Sequence, residues 1–148
     1  QMAAIAQAAE QAEDVSLDAD FINKQFQRID QSIAMAALFT AHHLGCKAII
    51  ALTESGSTAL WMSRHKIHVP IFGLTAKSTS LHKMALYRNV RPLLVPNFTD
   101  RDEALAQAEA ILVARGVLMP GDTYAITCGE PMGHPGGTNM LKVCEVKA

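Results

Sequence analysis

The sequence has little of what a disulfide scaffold, a membrane protein or a nucleic-acid-binding protein needs. It holds three cysteines, an odd number with no Cys-x-x-Cys spacing, which argues against a disulfide framework or a zinc ribbon. No apolar run approaches the roughly 20 residues of a membrane span, and no basic stretch precedes an apolar one as in a signal peptide. Acidic and basic residues nearly balance, 14 against 13, and form no basic stripe. We therefore expect a cytoplasmic protein with reduced thiols that binds neither nucleic acid nor membrane.

Apolar residues are plentiful, at 49% of the 148-residue chain, and only 18% of the residues are charged. That proportion supplies the core of one globular domain and argues against intrinsic disorder. The chain starts with Gln1 rather than a methionine, and its first 13 residues are Ala-rich and helix-forming. We therefore expect a piece of a longer protein, with a terminal helix over 1–13 and one domain over 14–148.

Short β-branched runs alternate with helical stripes along the domain. Strands are predicted over 46–52, 68–74, 90–95, 122–128 and 139–146, and helices over 30–44, 58–66, 80–87 and from a Thr99 cap to Gly116. Asp30 or Ser32 is expected to cap the first of these helices, and Pro92 indicates an edge strand. The alternation predicts a mostly parallel sheet with helices on both faces. Because only about nine residues join the last two strands, the fifth strand is expected to be antiparallel.

The most distinctive loop follows the first predicted strand and reads Thr53, Glu54, Ser55, Gly56, Ser57, Thr58. Backbone N–H groups and the positive end of a helix dipole meet at such a position. Hydroxyls add donors, and a glycine lets the backbone approach a ligand closely. The loop lacks the GxxxxGK[ST] pattern, so nucleotide hydrolysis is not predicted. The pattern fits a phosphate site and a hydroxyl-rich helix cap that binds nothing equally well.

The second candidate is the glycine-rich loop over 129–137, whose marked positions are Gly129, Glu130, Pro131, Gly133, Gly136 and Gly137. Such a loop is either a hairpin connection or a flap over a ligand. In open α/β sheets, ligands bind beyond the carboxyl ends of the strands, at the point where strand order reverses. If the first and fourth strands are neighbours there, one loop would hold a phosphate and the other would cover it.

Other polar residues carry weaker signals. His65 and His68 are three residues apart, but two such ligands without a carboxylate cluster do not indicate a metal site. Trp61 is expected in the core. No Ser–His–Asp order and no carboxylate pair indicates a catalytic site, so neither catalytic nor metal-binding residues are predicted. The arginines that could meet a phosphate are Arg64, Arg88 and Arg91.

Three segments together resemble the C-terminal domain of bacterial pyruvate kinases. They are IALTESGSTALWMSR, VPIFGLT and ARGVLMPGDTYAITCGEPMGHPGGTNMLKV, which match that family in order and spacing. The resemblance covers about residues 15–148, and residues 1–13 resemble the remnant of the helix that closes the family's catalytic barrel. It implies a three-layer α/β/α fold with a five-stranded mixed sheet, four strands parallel and the last antiparallel.

The resemblance also implies a role. Domains of this family bind phosphorylated allosteric activators and form one interface of a homotetramer. In members that use fructose 1,6-bisphosphate, the first loop holds one phosphate, which maps here to Thr53, Ser55, Gly56 and Thr58. The final loop closes over the sugar, which maps to 129–137. The parent enzymes transfer phosphoryl from phosphoenolpyruvate to ADP with Mg and K ions in the barrel, so this chain is expected to bind no cofactor and to be inactive alone.

The sequence departs from the bisphosphate pattern in two places. The helix before the ARG motif has no tryptophan, and Arg101 stands only near the expected arginine position, which Ala104 occupies. Glu130 replaces an arginine in the final loop, and its carboxylate would repel a second phosphate. A monophosphate such as glucose 6-phosphate, ribose 5-phosphate or AMP is therefore the expected effector.

Two other functions stay open. A free-standing phosphosugar isomerase would use a similar loop but needs a general base, a role for which Glu54 and Glu130 are the candidates. A structural interface domain would keep the fold and the oligomer contacts without binding an effector.

Overall fold

The computed structural model of the chain describes residues 28–132 and 137–147. The helices are α1 (Ile29–Leu44), α2 (Ser57–Ser63), α3 (Ser78–Met84) and α4 (Arg101–Ala114). The strands are β1 (Ala48–Leu52), β2 (Ile71–Thr75), β3 (Val90–Leu94), β4 (Thr123–Gly129) and β5 (Thr138–Glu145). The helix expected over 1–13 lies outside the described residues.

The five strands form one mixed sheet in the order β3-β2-β1-β4-β5. β1 runs parallel to both β2 and β4, and β3 runs parallel to β2. β5 pairs with β4 in the antiparallel sense, which confirms the prediction for the last strand. Strand order reverses between β1 and β4, so the loops that follow these two strands lie at the same edge of the sheet.

Buried side chains form a separate core on each face of the sheet. In β1, Ile49 and Ala51 pack with α1 and α2, whereas Ile50 and Leu52 pack with α4. Successive side chains of a strand point to opposite faces, so each face receives alternate residues. The α/β fold with helices on both faces of a five-stranded sheet is thereby confirmed.

Two glycine and proline predictions are confirmed by the backbone. Gly45 ends α1 in the left-handed region, with φ of 66°. Pro92 lies in β3, which is an edge strand of the sheet, where its missing N–H leaves no neighbouring strand unpaired.

The predicted helix starts at Thr99 and at Asp30 or Ser32 are wrong. Asp100 caps α4, and its carboxylate accepts a hydrogen bond from the backbone N–H of Glu103 at 3.1 Å. α1 begins one residue before Asp30, so Asp30 lies inside the first turn rather than at the cap. Both predictions rested on residue type. The N-cap of α1 is Arg28, which makes no side-chain cap hydrogen bond, so residue type does not mark the start of this helix.

Gly73 in β2 lets α3 pack closely against the sheet. A Cβ atom at this position would overlap the Sδ atom of Met84, which is fully buried. Met84 also lies against Gly56, where a Cβ would stand 3.2 Å from its Cγ atom. One methionine therefore fixes the distance between α3, the sheet and the loop after β1.

None of the described helices combines the length and the apolar character that a bilayer crossing requires.

Candidate functional site

A hydrogen bond joins the two candidate loops. The Thr58 hydroxyl, at the start of α2, donates to the Thr138 hydroxyl, at the start of β5, over 2.8 Å. Both side chains are buried. The loop after β1 and the loop after β4 are therefore held together at the carboxyl edge of the sheet, as the strand order predicted.

The loop after β1 is shaped by its own hydroxyl groups. The backbone N–H of Gly56 donates to Thr53 Oγ1 at 2.9 Å, and the N–H of Ser57 donates to Ser55 Oγ at 3.3 Å. Gly56 has φ of 84°, a left-handed conformation that favours glycine. Two of the amides that a phosphate would use are thus engaged within the loop.

A chain of hydrogen bonds, here called the relay, connects Ser55 and Ser57 to Asp30, which lies outside the loop. Ser55 Oγ donates to Ser57 Oγ at 3.1 Å, and Ser57 Oγ donates to Asp30 Oδ2 at 3.0 Å. Arg28 donates to the same Asp30 oxygen at 2.8 Å. No sequence pattern points to Asp30, because Asp30 and Ser57 lie 27 residues apart and form no motif.

Glu54 anchors the loop to α3. Its backbone carbonyl accepts a hydrogen bond from Ser80 Oγ, and its carboxylate lies 3.6 Å from Lys77 Nζ. Lys77 immediately precedes α3. The positive charge of Lys77 partly offsets the negative charge of the Glu54 carboxylate, which would otherwise repel an anion.

A small cleft opens between the two loops and the ends of the strands. Thr53 and Glu54 line one side, and Gly129, Pro131 and Gly137 line the other. The apolar side chains that line it are Leu52, Leu74, Val95, Phe98 and Met132. The cavity volume is about 40 Å³, far below the roughly 300 Å³ at which typical ligand pockets begin.

The predicted site residues thus divide into two groups. Thr53, Glu54, Gly129, Pro131 and Gly137 line the cleft. The other described site residues, Ser55, Gly56, Ser57, Thr58 and Glu130, do not. Gly133 and Gly136 lie outside the described residues.

Asn139 closes the base of the final loop. Its side-chain amide donates to the carbonyl of Glu130 at 2.9 Å and accepts from the N–H of Glu130 at 2.9 Å. Close by, a Cβ atom on Gly129 would stand 2.6 Å from the carbonyl oxygen of Gly137. The two ends of the loop therefore approach closely, which only glycine permits at this position.

Comparison with known proteins identifies the family. The family model "Pyruvate kinase, alpha/beta domain" matches residues 31–144. This chain belongs to the pyruvate kinase alpha/beta domain family. The matched segment contains α1 from Gln31 onward, the other three helices, strands β1 to β4, and β5 up to Cys144.

Three relatives illustrate the match. The pyruvate kinase of Buchnera aphidicola subsp. Acyrthosiphon pisum is 37% identical over 146 residues, 98% of this chain and 30% of the relative. Pyruvate kinase II of Salmonella typhimurium is 35% identical over 147 residues, 99% of this chain and 31% of the relative. The pyruvate kinase of Staphylococcus haemolyticus is 36% identical over 112 residues, 76% of this chain and 19% of the relative. The chain thus spans less than a third of the length of these pyruvate kinases.

Charged side chains of this pyruvate kinase domain surround the cleft unevenly. Glu130 Oε2 lies 3.8 Å from Arg101 Nη1, and both side chains are partly exposed. Arg64 instead lies over the Trp61 ring at 4.7 Å, and Arg91 lies over the Phe72 ring at 5.7 Å. The three arginines singled out as phosphate partners, Arg64, Arg88 and Arg91, do not line the cleft.

Trp61 packs against the core on the α1 side while remaining partly exposed. Its position therefore matches the expectation of a core residue only in part. Among residues 28–132 and 137–147, no group of three His, Cys, Asp or Glu side chains converges as a metal site.

Burial also shifts three titratable groups away from their ordinary behaviour. It raises the pKa of the Cys46 thiol and of the Cys128 thiol, the latter against the opposing effect of Arg101. It likewise raises the pKa of Tyr124, whose hydroxyl donates to Glu109 Oε1 at 2.7 Å. These groups stay neutral at physiological pH and offer neither a nucleophile nor a base to the cleft.

Proposed function

We propose that this chain is the regulatory domain of a pyruvate kinase. It binds a phosphorylated effector with the phosphate at the loop over 53–58 and the organic part in the cleft between the two loops. The observation that supports this most is the pairing of Thr58 with Thr138, which brings both loops to one edge of the sheet. The cleft lies at the switch point between β1 and β4, where open α/β sheets bind their ligands.

The effector that fits best is a monophosphate such as glucose 6-phosphate, ribose 5-phosphate or AMP. Glu130 and Glu54 place two carboxylates beside the cleft, and each has one basic partner, Arg101 or Lys77. The described residues that line the cleft include no arginine or lysine, so none of them would balance a second phosphate beside these carboxylates. The apolar side chains among the lining residues suit the organic part of the ligand.

The catalytic step belongs to the rest of the parent enzyme. Phosphoryl transfer from phosphoenolpyruvate to ADP needs positioned metal ions and cationic clamps, which the barrel would supply together with its Mg and K ions. The domain acts by shifting an equilibrium between states, with a coupling free energy of about 1–3 kcal/mol. This chain alone is inactive as a kinase in this proposal.

The partners of the domain are the catalytic barrel of its own polypeptide and other copies in a cytoplasmic homotetramer. Large apolar side chains stay exposed on α1 and on the edge strand β5; they are Ile29, Phe39, Leu44 and Val143. Burying such side chains against another subunit would remove apolar surface from water, at about 25 cal/mol per Å².

Isothermal calorimetry tests the effector claim. Glucose 6-phosphate, ribose 5-phosphate and AMP are titrated separately into the chain, and we expect heat of binding with at least one of them. If none binds at millimolar concentration, the effector claim is wrong while the family assignment stands.

A pair of variants tests the loop in the full-length enzyme that carries this domain. Ser55→Asp places a like charge beside the effector phosphate and should abolish activation. Ser32→Asp adds the same charge on the exposed side of α1 and should leave activation intact. Equal activation in both variants would remove the loop from the site.

Turnover of a ketose phosphate by the isolated chain would instead favour an isomerase.

A further inference from the structure

Asp30 is a buried carboxylate held by partners from two parts of the chain. Its side chain is 1% exposed. Arg28 donates to it from the start of α1, and Ser57 donates to it from the loop after β1. The N–H of Gln31 supplies a third hydrogen bond, at 2.9 Å. A buried charge is tolerated only with such partners, so Asp30 has a strong requirement for the Ser57 hydroxyl.

The relay also fixes where the serine protons point. A hydroxyl has one proton to donate. Ser55 gives its proton to Ser57, and Ser57 gives its proton to Asp30. Neither proton is left for an anion that approaches the loop. A phosphate that binds there must therefore take the Ser57 proton from Asp30.

We propose that Asp30 is a positioning residue that locks the loop in its ligand-free arrangement and competes with the effector phosphate for the Ser57 hydroxyl. The competition rests on the proposed function, whereas the lock is a property of the chain without a ligand. Two anions compete for one donor, and the occupied site leaves Asp30 with Arg28 and the N–H of Gln31 as partners.

The same contacts connect the competition for Ser57 to Arg28, at the start of α1. The Arg28 guanidinium lies 6.0 Å from the centre of the Trp61 ring, and Arg28 is the N-cap residue of α1. Loss of the Ser57 contact changes the balance at Asp30 and thereby the position of Arg28. Trp61 is the chain's one tryptophan, so its fluorescence reports this change.

The test compares Asp30→Asn with Asp102→Asn in the full chain. Asn keeps the shape and an acceptor oxygen but removes the charge, and Asp102 is an exposed acid of α4. In Asp30→Asn we expect amide hydrogen exchange at 55–58 to accelerate, because the hydrogen bonds to residue 30 weaken. We also expect the dissociation constant of the effector to fall about threefold to tenfold, because the competing charge is gone. The effector used is whichever of glucose 6-phosphate, ribose 5-phosphate and AMP binds the unmodified chain. Asp102→Asn should change neither.

Ser57→Ala completes a double-mutant cycle and does not depend on how Asp30→Asn folds. It removes the shared hydroxyl, so Asp30→Asn should have no further effect on effector affinity in this background. Ser57→Ala alone should accelerate exchange at 55–58 and alter Trp61 fluorescence.

The outcomes separate the inference from the proposed function. Unchanged exchange in both Asp30→Asn and Ser57→Ala overturns the lock. Weaker rather than tighter effector binding in Asp30→Asn overturns the competition. If the unmodified chain binds none of the three compounds, the proposed effector function and the competition fall together, and exchange alone decides the lock.

Discussion

The Thr58 hydroxyl donates to the Thr138 hydroxyl across 80 positions of sequence. Thr58 is the second residue of α2, and Thr138 is the first residue of β5. The two residues are 0% and 5% exposed. Because water does not reach them freely, each hydroxyl depends on the other for a partner.

Replacing either threonine with valine should destabilise the chain more than replacing both. Thr58→Val leaves the Thr138 hydroxyl buried without this partner, which costs about 1–3 kcal/mol in the free energy of unfolding. The double variant Thr58→Val with Thr138→Val removes both polar groups at nearly constant shape. Urea denaturation should give a smaller loss for the double variant than for either single variant. Strict additivity would show that the pair does not interact.

Asn139→Ala should loosen the base of the final loop. Two hydrogen bonds to the backbone of Glu130 are lost. Their removal costs about 1 kcal/mol at an exposed position. Hydrogen exchange at the Glu130 amide should accelerate, while exchange in α1 should not change. A Glu130 amide that exchanges at the original rate would contradict the role given to Asn139.

Gly73→Ala should destabilise the packing of α3 on the sheet. The new Cβ would overlap Met84 Sδ, and such overpacking costs about 1–3 kcal/mol. Thermal unfolding should show a lower Tm for this variant. Combining it with Met84→Ala provides the control, because the overlap disappears. The cost of Gly73→Ala should be smaller in that background than in the unmodified chain.

The stability that Tyr124 contributes should decline at alkaline pH. Burial is the main cause that raises its pKa above the ordinary value of about 10. The unfolded chain therefore loses this proton first as pH rises, so the contribution is complete below about pH 10 and declines above it. Tyr124→Phe should flatten this part of the curve, as measured by urea denaturation between about pH 9 and pH 11.

The same variant has a measurable cost at neutral pH. Tyr124→Phe removes the hydrogen bond to Glu109 and should lower the free energy of unfolding by about 0.5–1.5 kcal/mol. An alkaline slope that persists in Tyr124→Phe would assign it to another group.

Much of the fold could be predicted because its signals are local. The order of strands and helices follows from short apolar runs and glycine positions. The antiparallel last strand follows from the length of one loop. The exact start of α4 could not be predicted, since Thr99 and Asp100 are both capping residues and residue type does not distinguish them.

The candidate site was predictable only in outline. Its two loops were recognisable by hydroxyl and glycine content, and the strand order brought them together. Thr53 and Glu54 line the cleft, whereas Ser57 contacts Asp30. The sequence could not separate these roles, because all three residues belong to the same six-residue loop. Effector binding at these residues stays a prediction.

The sequence by itself determined the alternation of strands and helices, the mixed sheet and the family. These depend on period, loop length and motif spacing, which are properties of neighbouring residues. Only the tertiary structure decided that Asp30 is buried beneath Ser57 and that Asn139 closes the final loop onto Glu130. Such pairs arise because the sheet brings distant segments together, and a single side chain carries no local sign of its eventual partner.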